Sequence, residues 1–253
     1  MYTDGFNTLM HRNFQRLLVD SGWPEKMDTS WSLSFSQSDY VEFRGQLDTE
    51  ELVELLVGLG RSGELTQREV TVYSLLVQRK EITLALREYG ISFDGMPDRY
   101  PACRQRMLNV FKQSVRARCD VAKEQGYQLI DALSTPHGES AVLFERSTRH
   151  FIVRASQNES LWLFDGDEQR EVIDGYLDSI FRGERLLAVK LEVLTKDDSV
   201  LADDLINEVL IPANVPVREW FCRDWLSDVM DEARETIRDS LCRFSSFESS
   251  LAH

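Results

Sequence analysis

The chain has 253 residues, 42% hydrophobic and 10% aromatic, with 29 Lys and Arg against 43 Asp and Glu, a formal net charge of −14. Enough Leu, Val, Ile, Phe and Trp for a buried core, without a low-complexity tract, excludes a disordered, collagen-like or disulfide-scaffold chain. It predicts a soluble globular protein of one large or two small domains. Asp4, with His11, Arg12 and Arg16 interrupting the apolar residues that follow, argues against export, and no apolar run approaches the ~18 residues of a membrane span.

Phe6, Leu9, Met10, Phe14, Leu17 and Leu18 recur at helical spacing, so residues 4–20 are predicted to form an amphipathic helix that stops at Ser21-Gly22. A strand pair is expected at Trp31–Phe35 and Tyr40–Leu47, turning through Ser36–Asp39. Asp48 or Thr49 then caps a helix through Leu52, Val53, Leu55 and Leu56, with Glu50 and Glu51 in its first turn. Residues 66–93 read as helix and then as extended chain from about Ile82. A long helix from about Ala102 to Leu133, weakened at Gly126, closes the first half.

Ser134-Thr135-Pro136-His137-Gly138 marks a boundary between two α+β subdomains, residues 1–134 and 139–245, each a small antiparallel sheet packed with helices. The second half opens with strand-like runs at Ala141–Glu145, Phe151–Ala155 and Leu161–Phe164, then a helix from about Glu168 to Phe181. Leu186–Leu194 is the strongest strand in the chain, and Lys196-Asp197-Asp198-Ser199 turns it back through Val200–Ile211. A final helix after Pro216 carries Phe221, Trp225, Val229, Ala233, Ile237 and Leu241 at four-residue spacing. Cys103 and Cys119 share one predicted helix and Cys222 and Cys242 another; members of each pair lie roughly 24 to 30 Å apart along the axis, too far for a disulfide. Reduced thiols in a cytoplasm are expected.

Gly58-Leu59-Gly60-Arg61-Ser62-Gly63 has the spacing of a dinucleotide fingerprint, but a helix precedes it where that motif needs a strand, so it reads as a glycine-terminated helix. No C-x-x-C, H-x-x-x-H or H-E-x-x-H is present, and no metal or other cofactor is expected. Asp165-Gly166-Asp167-Glu168 lacks the remaining positions of a calcium loop and reads as a solvated turn. Ala188 stands where a metal-dependent nuclease would need its acid beside Lys190. Cys119 or Ser140 with His137 is a formal nucleophile–base combination without a supporting glycine pattern, and the chain is read as non-enzymatic.

Charge is unevenly placed. From Arg99 to Lys123 seven cations, Arg104, Lys112 and Arg116 among them, stand against Asp120 alone. Lys112, Arg116 and Lys123 share a helix face that could follow a phosphate backbone; the plainer reading pairs these cations with acids of the same chain. From Gln157 to Ile211, 14 acids face five cations, and such a surface can compete with phosphates for a basic groove on another protein.

Ser34–Gly45, with Ser36-Gln37-Ser38-Asp39 at its centre, resembles a hairpin signature, roughly Y-S-Q-G-D-G-A-S-F-x-G, that recurs in small accessory proteins of phages and plasmids. Leu187–Glu208 resembles a second hairpin pattern of mobile elements, V-x-V-x-V-x-x-x-G-x-x-L-G-x-D. The resemblance implies a mobile-element origin and, since several acidic proteins of such elements block host defence, an inhibitor of a CRISPR surveillance complex or a restriction enzyme. Asp165, Asp167, Glu168, Asp197, Asp198, Asp203 and Asp204 are the expected partner contacts, with Trp220 as an exposed aromatic anchor and Trp225 in the core. The alternatives are a nucleic-acid-binding factor using Arg104, Lys112, Arg116 and Lys123, and a hydrolase centred on His137.

Overall fold

A computed structural model describes residues 4–87, 90–134, 142–158 and 170–251. The fold is α+β. The chain divides into two compact units, one spanning Thr8–Leu129 and the other taking in Met1–Asn7 and Ile130–His253. Each has its own four-stranded antiparallel sheet. Among the described residues no helix is long and apolar enough to cross a membrane.

Helix α1 (Asp4–Asp20) buries Leu9, Met10, Phe14 and Leu18, the stripe its sequence spacing predicts. Strand β1 (Asp28–Ser32) pairs with β2 (Tyr40–Leu47), Trp31 opposite Val41. The first strand thus lies three residues earlier than expected. Its predicted end is diverted because Asp39 captures the Ser34 and Ser36 N–H groups, and Phe35 takes a left-handed φ of 57° that no strand can use.

Helix α2 (Thr49–Arg61) is capped by Asp48, whose carboxylate accepts from the Glu50 and Glu51 N–H groups while Glu51 reaches back to the Asp48 N–H. Helix α3 (Gln67–Lys80) repeats the device with Thr66 and Glu69, and Arg106 adds an ion pair to Glu69 at 2.9 Å. The helical reading of the 66–80 stretch holds, and the extended chain after it is the hairpin of β3 (Thr83–Arg87) and β4 (Gly90–Asp94). Helix α4 (Pro101–Leu133) completes the unit, and Trp23 anchors its core, edge-on to Phe43 at 5.3 Å and to Phe111 at 6.1 Å.

In the second unit β5 (Val142–Ser147), β6 (Phe151–Asn158), β7 (Arg185–Thr195) and β8 (Val200–Ile211) lie in that order across the sheet, with α5 (Arg170–Phe181) between β6 and β7 in sequence. The strand expected at Leu161–Phe164 falls outside the described residues. β7 is buried along most of its length, with Leu186–Val189, Leu191, Val193 and Leu194 in the core and Lys190 and Glu192 half-buried between them, as its central place in the sheet requires.

The predicted C-terminal helix is two elements, a single turn α6 (Val217–Trp220) and α7 (Arg223–Leu251). Phe221, at φ −73° and ψ 121°, is extended and ends α6, so it lies off the α7 apolar series. Val229 and Ala233 of that series are buried against Ala155, Val189, Leu191 and Val193. Ile237 and Leu241 are exposed.

Candidate functional site

Asp39 organises the loop that carries the hairpin signature. Its carboxylate accepts from the Ser34 N–H (2.8 Å), the Ser36 N–H (3.0 Å), the hydroxyls of Ser34 (2.9 Å) and Ser36 (2.8 Å), and the Tyr127 hydroxyl (2.8 Å). Its carbonyl accepts from Lys123 Nζ at 2.7 Å. Burial alone would raise the Asp39 pKa, but the hydrogen bonds, led by that from the Ser34 backbone, outweigh it and hold the carboxyl well below the usual range. Phe35, at the crest of the loop, stacks on Tyr127 with ring centroids 4.7 Å apart and is nevertheless 63% exposed.

Most cations of α4 are engaged within the unit. Arg104 lies 3.9 Å from Asp98, Arg106 pairs with Glu69, and Arg118 binds Glu64 at 2.9 Å and Ser21 at 2.6 Å. Arg116 makes only a loose pair with Asp120 at 4.0 Å, both side chains well exposed, and Lys112 is exposed on the same face as Lys123. Gly58 and Gly60 sit inside α2, Gly60 against Val70 of α3, so this glycine pattern serves helix packing.

The acids of the β7–β8 hairpin meet partners that the linear sequence hides. Glu145, Arg154, Glu192 and Asp203 stand opposite one another on a single rung across all four strands. Arg154 binds Glu145 at 2.9 Å and lies 3.7 Å from Asp198, while Lys190 binds Glu192 at 2.8 Å and Asp203 at 3.4 Å. Asp197 braces the turn through Thr195 and Ser199, and Asp204 accepts from the Leu205 N–H. The hairpin therefore presents alternating charge where the sequence suggests a run of acids. Asp165, Asp167 and Glu168, like His137 and Ser140, lie outside the described residues. Trp220 is on α6, half-buried against the sheet core and edge-on to Phe221 at 6.1 Å, which ties it to packing with Phe221 and Trp225.

The carboxylates that do align are on α7. Asp224, Asp228, Asp231, Glu232, Glu235 and Asp239 recur at three- and four-residue steps, which places them within an arc of about 100° on the helix surface, and all six are exposed. Arg234 pairs with Asp231 at the margin of this stripe.

Burial pushes the Cys119 thiol up to about 12, with the charges of Asp120 and Glu42 adding to the effect, so it stays protonated at neutral pH. All four cysteines are free. Among the described residues no three His, Cys, Asp or Glu side chains converge in a way that could hold a metal ion.

A family model described as the C-terminal domain of YubG matches residues 141–246, somewhat under half of the chain. The matched stretch runs from the first strand of the second sheet into α7. No solved structure matches the chain.

Proposed function

We propose that the chain is a non-enzymatic inhibitor, carried by a mobile genetic element and acting in the cytoplasm, that occupies the cationic nucleic-acid groove of a host defence complex. A CRISPR surveillance complex is the first candidate and a restriction enzyme the second. The observation supporting it is the stripe on α7. From Asp224 to Asp239 six exposed carboxylates occupy about 22 Å of helix, one charge in roughly 4 Å, close to the ~3.4 Å per charge along one DNA strand. A rigid helix holding carboxylates at that density offers a basic groove the charge of a phosphate backbone without its bases. The contact steers association and competes with nucleic acid, either masking the groove or displacing a subunit from it. The hairpin acids, of which Asp198, Glu192 and Asp203 are paired with Arg154 or Lys190, are secondary to it.

The test is competition. Purified surveillance complex is mixed with labelled target DNA and increasing amounts of the chain, and DNA binding is followed at low and high salt. Inhibition is expected at low salt and recedes as salt screens the contact. The variant Asp228→Lys/Glu235→Lys loses inhibition while its helix content stays unchanged. Absence of binding to surveillance and restriction complexes alike, or full inhibition by the charge-reversed variant, refutes the reading.

A further inference from the structure

The net charge of −14 is not shared between the units. Thr8–Leu129 holds sixteen Lys and Arg against seventeen Asp and Glu, a net charge of −1, and the remainder of the chain carries the other −13. The electrostatic objection to nucleic-acid binding thus applies to the second unit and scarcely to the first.

Within the first unit, Phe35 is held open to solvent by contacts that converge on the Asp39 carboxylate. Its φ of 57° is a conformation that a bulky aromatic residue rarely adopts, and it is maintained by the Asp39 carboxylate, which fixes the backbone on both sides through Ser34 and Ser36. The Tyr127 ring supports Phe35 from beneath, and Tyr127 is itself tied to Asp39 through its hydroxyl. A flexible loop would fold an isolated phenyl ring against the surface; this one is built to hold it out. Strain retained by so many bonds at a surface loop points to a use for the displayed ring.

Along the same face of α4 as Tyr127 stand Lys123, Arg116 and Lys112, a row about 22 Å long. Lys123 is committed to the Asp39 carbonyl, but Lys112 is exposed, and Arg116 makes a loose, solvated contact to Asp120 at 4.0 Å that holds it weakly. The exposed serines Ser36 and Ser38 belong to the same loop, their hydroxyls 2.8 Å apart.

We infer that Phe35, supported by Tyr127, is a stacking platform for a base of single-stranded nucleic acid whose phosphates run along Lys112 and Arg116. A stacked base needs only a flat apolar face, and cations beside it hold the backbone, so the site is sequence-tolerant and salt-sensitive. Nucleic acid is favoured over a protein partner because Lys112, Arg116 and Lys123 line the approach to the ring, outnumbering the exposed acids Asp120 and Glu124 beside them.

The full chain is titrated with a fluorescein-labelled oligothymidylate at low salt and followed by anisotropy. Phe35→Ala should weaken binding about 5- to 100-fold, and Phe35→Trp should retain it. Asp120→Asn, which releases Arg116, should tighten binding. Lys112→Gln/Arg116→Gln lies away from the loop and tests the site even if Phe35→Ala disturbs folding. It should lower the slope of log affinity against log salt by roughly 0.7 per cation removed. The α7 variant Asp228→Lys/Glu235→Lys should bind the oligonucleotide at least as well as the unaltered chain, so this site and the acidic stripe fail or stand separately. The inference is overturned if the chain does not bind the oligonucleotide, if Phe35→Ala binds it unchanged, or if Phe35 governs capture of a protein and not of nucleic acid.

Discussion

Gly60 of α2 faces Val70 of α3 so closely that a Cβ at residue 60 would stand 2.6 Å from a Val70 methyl carbon. Valine is stiff about χ1, so the methyl cannot swing aside at little cost. Gly60→Ala gains about 1 kcal/mol of helix propensity but forces overpacking worth about 1–3 kcal/mol. The expected net loss is about 1 kcal/mol, read as a lower urea midpoint with unchanged slope.

Asp39 gives the stability of the first unit an acid-sensitive component. Its native pKa lies well below its ordinary value of 3.8, so its contribution to stability is complete above that value and fades as the pH falls below it toward the native one. Asp39→Asn keeps the shape but loses the charge-assisted bonds, and should lower the thermal midpoint by several degrees at pH 7. Below pH 3 the gap between variant and unaltered chain narrows, and a gap that persists unchanged there would show that the charge is not what holds the loop.

Thr66 caps α3, and its hydroxyl accepts from the Glu69 N–H while Glu69 answers with its carboxylate. The Thr66 backbone N–H, Arg106 and the Thr66 hydroxyl lower the Glu69 pKa from 4.5 to about 2. Thr66→Ala should cost about 1 kcal/mol in chemical denaturation and raise the Glu69 pKa, a shift measurable by carboxyl NMR titration.

Much of this architecture is legible in the residue order, and the exceptions share a cause. Asp48 before Thr49-Glu50-Glu51 and the apolar spacing of α1 act over one or two turns, so the sequence displays them directly. The Asp39 loop depends on Tyr127, 88 residues away, and a serine-rich tract reads as a turn whether or not a carboxylate is buried in it. Of the hairpin acids, Asp198 is paired with Arg154, and Glu192 and Asp203 with Lys190, which a count along the chain cannot reveal. The α7 stripe was within reach. Residues 223–243 mix both signs, and only projection around the helix gathers the six acids into one arc, with Arg234, Arg238 and Arg243 at its margins and Arg223 beyond.

Arg154 stands among Glu145, Glu192 and Asp198, so Arg154→Ala removes the cation shared by Glu145 and Asp198 and leaves Glu192 with Lys190. The expected loss is about 1 kcal/mol at low salt, and added salt should recover part of it by screening the repulsion. A loss independent of salt would assign the role of Arg154 to packing of its aliphatic stem.

Among the described residues β8 is the outermost strand of its sheet and twelve residues long, and an open border of that length is a standing template for fibre growth. Here any copy laid alongside would meet Asp203 and Asp204 in succession, then a kink where Glu208 turns left-handed at φ 60°. The hairpin whose acids suggested a grip on a foreign protein thus also carries charge and a kink of the kind that oppose edge-to-edge pairing.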